Sequence, residues 1–117
     1  LFQEIKNSEK FTMVDLYADW CVACKELEKY TFTDANVSEI LTNLNLIKFD
    51  ITKSSDGSNE FLKDYKLFGP PVIMFFDNNG NELRQSRIVG FVDSEQFIDK
   101  YNQINKSLSK VNYNKSL

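Results

Sequence analysis

Two cysteines, Cys21 and Cys24, are the residues of this chain whose type and spacing most clearly indicate chemistry. They are the only cysteines among 117 residues, and there is no histidine. The pair follows an apolar stretch that ends at Trp20 and opens a segment with helical periodicity, so we expect it at a helix N-terminus. The partial positive charge there favours a thiolate on Cys21. Two thiols three positions apart can close into a disulfide and reopen without disturbing the fold, which indicates reversible thiol–disulfide exchange.

Three other roles for the cysteine pair fit the residues less well. A structural zinc site takes four ligands, usually Cys and His, and here two would have to be carboxylates, so we expect no metal site. A purely structural disulfide over so short a loop would restrain the unfolded chain by only about 2 kcal/mol. Two inert core cysteines are the third alternative, and the preceding tryptophan and the strand-to-helix setting disfavour it.

The composition is typical of a single globular domain. Hydrophobic residues make up 42% of the chain, with ten Phe and five Tyr, and a chain of this length can bury about two-thirds of its unfolded surface. The net charge of −3 offers no basic stripe, so we expect no nucleic-acid partner. We also expect a monomer. No apolar run approaches about 18 residues, so we expect no direct membrane insertion of this domain. The start at Leu1, without a signal peptide, predicts an excised domain or a mature fragment.

Hydrophobic patterning predicts strands that alternate with helices. The predicted strands cover residues 11–18, 46–51, 72–76 and roughly 84–89. The predicted helices cover residues 22–30, a stretch capped by Asp34, residues 60–66, and a final helix that begins at Asp93 or Ser94. Residues 53–59 are predicted to form a polar loop, and the Asn79-Gly80 step predicts a hairpin turn.

This order of elements predicts an α/β fold with a central mixed β-sheet and helices on both faces. The helical stretch within residues 22–44 supplies the crossover that a parallel pair of strands requires. The hairpin then adds antiparallel strands. We expect one domain over residues 1–108 and a polar tail over residues 109–117, with any earlier strand lying before residue 1.

Four segments together carry a resemblance to a known family. They are residues 15–32 (DLYADWCVACKELEKYTF), 69–71 (GPP), 75–80 (FFDNNG) and 89–91 (VGF). These segments are similar to the C-terminal periplasmic domain of the transmembrane thiol:disulfide interchange proteins, the DsbD family, whose C-terminal domain has a thioredoxin fold. The similarity covers roughly residues 11–100.

The resemblance implies an electron relay that needs no bound cofactor. In that family the domain takes electrons from a membrane-embedded donor domain and passes them to a periplasmic thioredoxin-like acceptor domain. It therefore implies a periplasmic location as part of an inner-membrane protein. Cys21 would be the exposed attacking cysteine and Cys24 the resolving one, together forming the redox-active disulfide. Asp15 and Glu28 would be the acidic pair near them.

The resemblance also implies a substrate-binding rim around the cysteines. Its residues would be Trp20, Phe68, Pro70, Pro71 and Gly90, with Pro71 preceded by a cis bond and facing the disulfide. Val72 departs from the Thr that the family usually has after that proline. From the residues alone, packing of Trp20 and Phe68 beneath the cysteines is an alternative to an exposed docking rim.

The acidic residues are also interpretable from their positions in the chain. Asp15 lies in a predicted central strand, where burial would raise its pKa; the alternative is a carboxylate satisfied by backbone donors. Glu28 shares a helical face with the cysteines; the alternative is an ordinary solvated residue. The alternatives for the whole chain are a free-standing thioredoxin-like disulfide reductase and a redox-silent docking module of the same fold.

Overall fold

A four-stranded mixed sheet forms the centre of the domain. The computed structural model describes the backbone of residues 10–116 and the side chains of residues 10–105. The strands are β1 (Thr12–Tyr17), β2 (Asn45–Asp50), β3 (Val72–Phe76) and β4 (Ile88–Val89). They lie in the order β2-β1-β3-β4; β1 and β2 are parallel, and the other two pairs are antiparallel. The predicted mixed sheet is therefore confirmed.

In the part of the chain that the structure describes, four helices cover the two faces of the sheet. They are α1 (Val22–Glu26), α2 (Ala35–Thr42), α3 (Asp56–Asp64) and α4 (Ser94–Ser116). The first helix continues into a π-helical turn (Leu27–Thr31), in which the N–H of Phe32 donates to the Leu27 carbonyl at 2.8 Å. The backbone of α4 continues to Ser116 and so includes residues 109–116, which were predicted to belong to a polar tail.

Strand β1 is the middle of the core, because all six of its residues are buried. On one face, Val14 and Leu16 pack in a cluster with Phe61 of α3. On the other face, Met13 packs in a cluster with Leu27, and that cluster also takes in buried residues of α2 and α4. A strand buried on both faces reads as a nearly continuous apolar run, which is why its sequence identified it.

Helix α3 begins earlier than the sequence predicted. Residues 56–59 were assigned to a polar loop, but they form its first turn. The backbone N–H of Ser58 donates to Ser55 Oγ, and the N–H of Ser55 donates to Ser58 Oγ, both at 3.0 Å. This reciprocal cap usually has Glu or Gln in the second position, so the sequence signal for the helix start was weak.

The prediction of a strand over residues 84–89 is wrong for most of its length. Only Ile88–Val89 pair with β3, while Arg84–Ser86 form a 3-10 turn. An ion pair joins the two ends of this segment, with Arg87 Nη2 at 2.7 Å from Glu82 Oε1. Glu82 itself forms an isolated bridge with Phe76. The chain therefore leaves the sheet after Glu82 and returns at Ile88, held by a side-chain contact rather than by a strand ladder.

We expect Glu82→Ala to destabilise the domain by about 3 kcal/mol, because removing one partner of a buried ion pair leaves the other charge uncompensated. The side chains of Glu82 and Arg87 are only 6% and 15% exposed. Urea unfolding at neutral pH measures the loss, and Glu60→Ala, at an exposed position of α3, is the control. A loss within about 0.5 kcal/mol of the control, the range usual for surface substitutions, would contradict the structural role of the pair.

Candidate active site

The two cysteines lie at the junction between β1 and α1. A tight turn follows the strand, in which the N–H of Cys21 donates to the Ala18 carbonyl at 3.0 Å. Cys21 is then the N-cap of α1, and its Sγ accepts the backbone N–H of Cys24 at 3.1 Å. The two sulfur atoms are joined in a disulfide. The sequence thus correctly predicted a cysteine pair that opens a helix and can close into a disulfide.

Both cysteines are buried while the disulfide is closed. Cys21 is 5% exposed and Cys24 is 1% exposed. The resemblance implied an exposed Cys21, and this expectation is wrong for the closed form, because both residues pack in the apolar cluster on the α3 face of the sheet. Cys24 Sγ lies 3.8 Å from the Leu16 carbonyl oxygen of β1. Cys21 is therefore the more solvent-accessible of the two cysteines.

Asp15 is a buried carboxylate in the middle of the sheet. It is 8% exposed, and its backbone is in register with Lys48 of β2 and Ile73 of β3. The pKa of Asp15 is raised from 3.8 to about 6, mainly by burial and secondly by repulsion from Glu28, while attraction to Lys48 opposes both effects. Within the described residues no backbone N–H donates to this carboxylate, so the alternative of a charge satisfied by backbone donors is not supported.

Glu28 lies in the π-helical turn, and its charge acts on Asp15. Its Oε1 lies 2.7 Å from Lys48 Nζ, and its side chain is 38% exposed. It is therefore ion-paired, rather than the freely solvated helix residue of the alternative interpretation. The structure brings Asp15, Glu28 and Lys48 together, although sequence reasoning had singled out only the two acids.

A chain of polar contacts ties the active-site turn to the end of β2. The backbone N–H of Asp19 donates to Thr52 Oγ1 at 2.8 Å, and the hydroxyl of Tyr17 donates to Asp19 Oδ1 at 3.0 Å. The N–H of Thr52 in turn donates to Asp50 Oδ1 at 2.9 Å. Sequence reasoning gave no role to Tyr17 or Thr52. Thr52 lies outside the segments that carry the resemblance, and only the parallel pairing of β1 with β2 brings the two residues together.

Two large aromatic side chains are exposed beside the turn that leads into the disulfide. Trp20 is 63% exposed and Phe68 is fully exposed. The interpretation that these two rings pack beneath the cysteines is therefore wrong. Both line a groove of about 220 Å³ on the α3 side of the site. Its walls are Trp20, Ile51, Leu62, Phe68, Gly69 and Pro70, with Ser54, Ser58 and Asn59 at its polar side. The structure thus groups three of the predicted rim residues, Trp20, Phe68 and Pro70.

Pro71 and Gly90, the other two predicted rim residues, are joined by a backbone hydrogen bond. The Pro70–Pro71 bond is cis, as predicted. The Pro71 carbonyl accepts the N–H of Gly90 at 3.0 Å, and Gly90 has φ +84°, a conformation that favours glycine. Val72, which departs from the family pattern, is only 3% exposed and so lies in the core rather than on the rim.

Two further features are absent from the part of the chain that the structure describes. Over those residues, no group of three or more Cys, Asp or Glu side chains is arranged to hold a metal ion. None of the helices in the same part of the chain combines the length and the apolarity needed to cross a membrane.

We expect the effect of Asp15→Asn on the free energy of unfolding to be more favourable at neutral pH than in acid. Because the folded pKa is raised, the contribution of Asp15 to stability is fully present below about pH 3.8 and is lost as the pH rises through about 6. At 1.36 kcal/mol per pKa unit, this loss is about 3 kcal/mol.

Urea unfolding of both proteins at pH 3.5, 5 and 7.5 measures this effect. The free-energy difference between variant and wild type should move in favour of the variant by about 3 kcal/mol from the lowest to the highest pH. Asp99→Asn, at an exposed position of α4, is the matched control. A difference that does not change with pH would show that Asp15 is not desolvated in the folded state.

Comparison with known proteins places this geometry in context. The thioredoxin-like domain family matches residues 2–105. The chain is 48% identical over 95 residues to the thiol:disulfide interchange protein DsbD of Actinobacillus pleuropneumoniae, and 44% identical over 99 residues to that of Tatumella citrea. These matches cover 81% and 84% of this chain but only 16% and 17% of the relatives, so the chain spans about one-sixth of their length.

Solved structures give the same grouping. The chain is similar to the oxidised C-terminal domain of DsbD from Neisseria meningitidis, with a TM-score of 0.75 and 31% identity over 87% of each chain. A thioredoxin from Thermus thermophilus has a TM-score of 0.69 at 18% identity, covering 81% of this chain and 73% of its own. That second match supports the fold alone.

Proposed function

Because this chain belongs to the thioredoxin-like domain family, and within it to the C-terminal domains of DsbD, we propose that it is a thiol–disulfide oxidoreductase domain. It passes electrons by dithiol/disulfide exchange, from a membrane-embedded donor domain to a periplasmic thioredoxin-like acceptor domain. The observation that carries this proposal is the Cys21–Cys24 disulfide at the start of α1. A larger inner-membrane protein with this domain in the periplasm is the setting that the DsbD relatives support.

The exchange balances as two successive substitutions at sulfur. In the reduced domain, the Cys21 thiolate attacks the acceptor disulfide; a mixed disulfide forms, and one acceptor thiolate leaves and takes up a proton. Cys24 then gives up its proton and attacks Cys21 Sγ. The Cys21–Cys24 bond forms, the mixed disulfide breaks, and the second acceptor thiolate leaves. Two electrons have passed to the acceptor, and the donor domain restores the dithiol by the reverse sequence.

The surroundings of Cys21 favour its role as the attacking residue. Its Sγ accepts a backbone N–H at the helix start, and such a donor stabilises a thiolate. It is also the more exposed of the two. Cys24 is the more deeply buried, so its attack on Cys21 is shielded from competing partners.

Asp15 supplies a proton acceptor for the second step. Its pKa of about 6 makes it predominantly ionised at pH 7 and still basic enough to take up a proton, which is the range that general base catalysis favours. It directly precedes Leu16, whose carbonyl faces Cys24 Sγ. Glu28 repels the ionised Asp15 carboxylate, which raises the pKa of Asp15 and so favours uptake of the proton.

The exposed apolar rim suits brief docking of a protein partner. Trp20, Val22, Phe68 and Val89 are each more than 60% exposed, and contiguous exposed apolar surface is typical of interaction sites. Strand pairing of Val72 with Val89 places one of these side chains next to Pro71 and Gly90. A small apolar contact of this kind lets the carrier release each partner after exchange.

We expect iodoacetamide to label Cys21 at least tenfold faster than Cys24 in the reduced protein at pH 7, since the thiolate is the reactive form. Peptide mapping by mass spectrometry after short incubation measures the two rates. The urea-unfolded reduced chain is the control, in which the two rates should be similar. Faster labelling of Cys24 in the folded protein would reverse the assigned roles.

We expect Cys24→Ser to accumulate a covalent complex through Cys21 when the reduced variant meets an oxidised partner, because the resolving thiol is gone. An envelope extract of the source organism supplies the partners, and non-reducing electrophoresis with mass spectrometry identifies the adducts. The matched control is Cys21→Ser, which should give at least tenfold less adduct.

The identity of the trapped species decides between the alternatives. Donor or acceptor domains of a DsbD-type relay would support the proposal. A broad set of unrelated proteins would instead favour a free-standing disulfide reductase. The absence of any adduct that is sensitive to reductant would favour a redox-silent docking module.

A further inference from the structure

A buried threonine joins the helical segment that carries the cysteines to the loop that follows β4 (residues 90–92, the post-β4 loop). Thr31 is the last residue of the π-helical turn and is fully buried. Its Oγ1 donates to the Val92 carbonyl at 2.6 Å, although the two residues are 61 positions apart. Among the hydrogen bonds of the described residues, this is the one that connects residues 22–31 with the post-β4 loop.

The direction of this hydrogen bond is unusual for a threonine beside a helix. Such a hydroxyl commonly donates to a carbonyl three or four residues earlier in the chain. Thr33 and Thr42 follow that local pattern, with bonds to the carbonyls of Lys29 and Glu39. The hydroxyl of Thr31 instead reaches a distant loop, so local helix geometry does not account for it.

The post-β4 loop is held at both of its ends. At its start, the N–H of Gly90 donates to the Pro71 carbonyl at 3.0 Å. Just after its end, Asp93 and Gln96 form a reciprocal cap on α4, in which the N–H of Gln96 donates to Asp93 Oδ1 at 2.9 Å. Phe91 lies between these two anchors and is 41% exposed. The loop therefore presents an aromatic side chain at the surface from a backbone with few free positions.

The loop also connects the two faces of the sheet. Val89, directly before the loop, pairs with Val72, which packs in the same apolar cluster as both cysteines. Val92, at the end of the loop, packs against the cluster on the opposite face, which includes Leu27. The loop thus begins on the side of the sheet that holds the cysteines and ends on the other side, where Thr31 binds it.

We propose that Thr31 is a positioning residue for partner docking, which fixes the post-β4 loop relative to the helical segment of the cysteines. This inference rests on the proposed exchange function. Because Thr31 is fully buried, it touches no partner. It acts only through the backbone of a loop that contains Gly90, one of the predicted rim residues.

The physical basis is the cost of ordering a loose surface when a partner binds. Trp20 and Phe68 line the groove on one side of the rim, and Val89 and Gly90 belong to the other side. A partner that contacts both sides needs them in one fixed arrangement, and ordering a mobile loop at that moment weakens binding. Loss of the Thr31 hydroxyl leaves the Val92 carbonyl without its partner, so we expect the loop to open more often and partners to dock less tightly.

The test compares Thr31→Val, which replaces the hydroxyl with a methyl group of similar size, with Thr31→Ser, which keeps the hydroxyl. Thr33→Val is the matched control, because the hydroxyl of Thr33 is exposed and bonds only locally. Each reduced protein is assayed with two disulfides. One is a disulfide-bonded periplasmic thioredoxin-like acceptor domain, and the other is the small aromatic disulfide 5,5′-dithiobis(2-nitrobenzoate), which needs no docking surface. Hydrogen exchange of the loop amides is measured in the oxidised proteins.

In Thr31→Val, we expect the KM for the acceptor domain to rise about fivefold, the factor that corresponds to one ordinary protein hydrogen bond. The kcat and the rate with the small disulfide should stay within about twofold of wild type, because only binding is weakened. The loop amides should exchange about fivefold faster on the same basis. Thr31→Ser and Thr33→Val should match wild type in every measurement.

Three results would overturn the inference. The first is an unchanged KM for the acceptor domain in Thr31→Val. The second is an equal loss of rate with the small disulfide, which would place the effect at the cysteines instead of the docking surface. The third is an equal rise of KM in Thr33→Val. If Thr31→Val does not unfold cooperatively in urea, Thr31→Ala, which adds no methyl group, replaces it in the same comparison.

The readouts separate this inference from the proposed function. If wild type reduces neither disulfide, the proposed function fails, while faster exchange of the loop amides in Thr31→Val still shows that Thr31 holds the loop. If wild type reduces the acceptor domain and the KM does not change in Thr31→Val, the function stands and the inference about Thr31 fails.

Discussion

The pairing of β1 with a neighbouring strand on each side fixes the positions of the main groups in the site. Parallel pairing with β2 sets Lys48 beside Asp15, and antiparallel pairing with β3 sets Ile73 on its other side. All six residues of β1 are buried as a result. The strand ends at a turn whose first helical cap is Cys21. The redox pair, its buried acid and the cation next to that acid therefore depend on one strand and its two neighbours.

This arrangement lowers the stability of the domain at neutral pH. An ionised Asp15 in the sheet opposes folding at neutral pH, because its folded pKa of about 6 lies above its usual value. An apolar residue of similar size would remove that cost, but it would also remove the carboxylate to which we assign the proton transfer. The neighbouring carboxylate of Glu28 adds to the cost and Lys48 offsets part of it, so the charge balance of the site results from three residues on three elements.

The exposed apolar side chains also contribute less to stability than they would if they were buried. Full burial of a large apolar side chain is worth about 1.5–3 kcal/mol, and the fold leaves Trp20, Val22, Phe68 and Val89 largely exposed. Trp20 and Val22 flank Cys21 in the sequence, and the disulfide itself is almost inaccessible. A partner that covered these side chains would bury this surface, as the proposed docking requires.

The sequence alone determined the parts of this protein whose signals are local. The cysteine spacing, the doubly buried strand that carries Asp15, the crossover and the hairpin turn are all legible in short segments, and the motif around Pro71 correctly indicated a cis bond. Local signals also failed in places: the Ser55–Ser58 cap hid the true start of α3, and the Glu82–Arg87 pair replaced an expected strand ladder.

The tertiary structure alone decided that Lys48 lies opposite Asp15, because the register of two parallel strands joined by a long crossover depends on how the whole sheet packs. It also decided that Cys21 is buried and Phe68 exposed, since burial depends on which surfaces the assembled core can cover and not on the hydrophobicity of the residue itself.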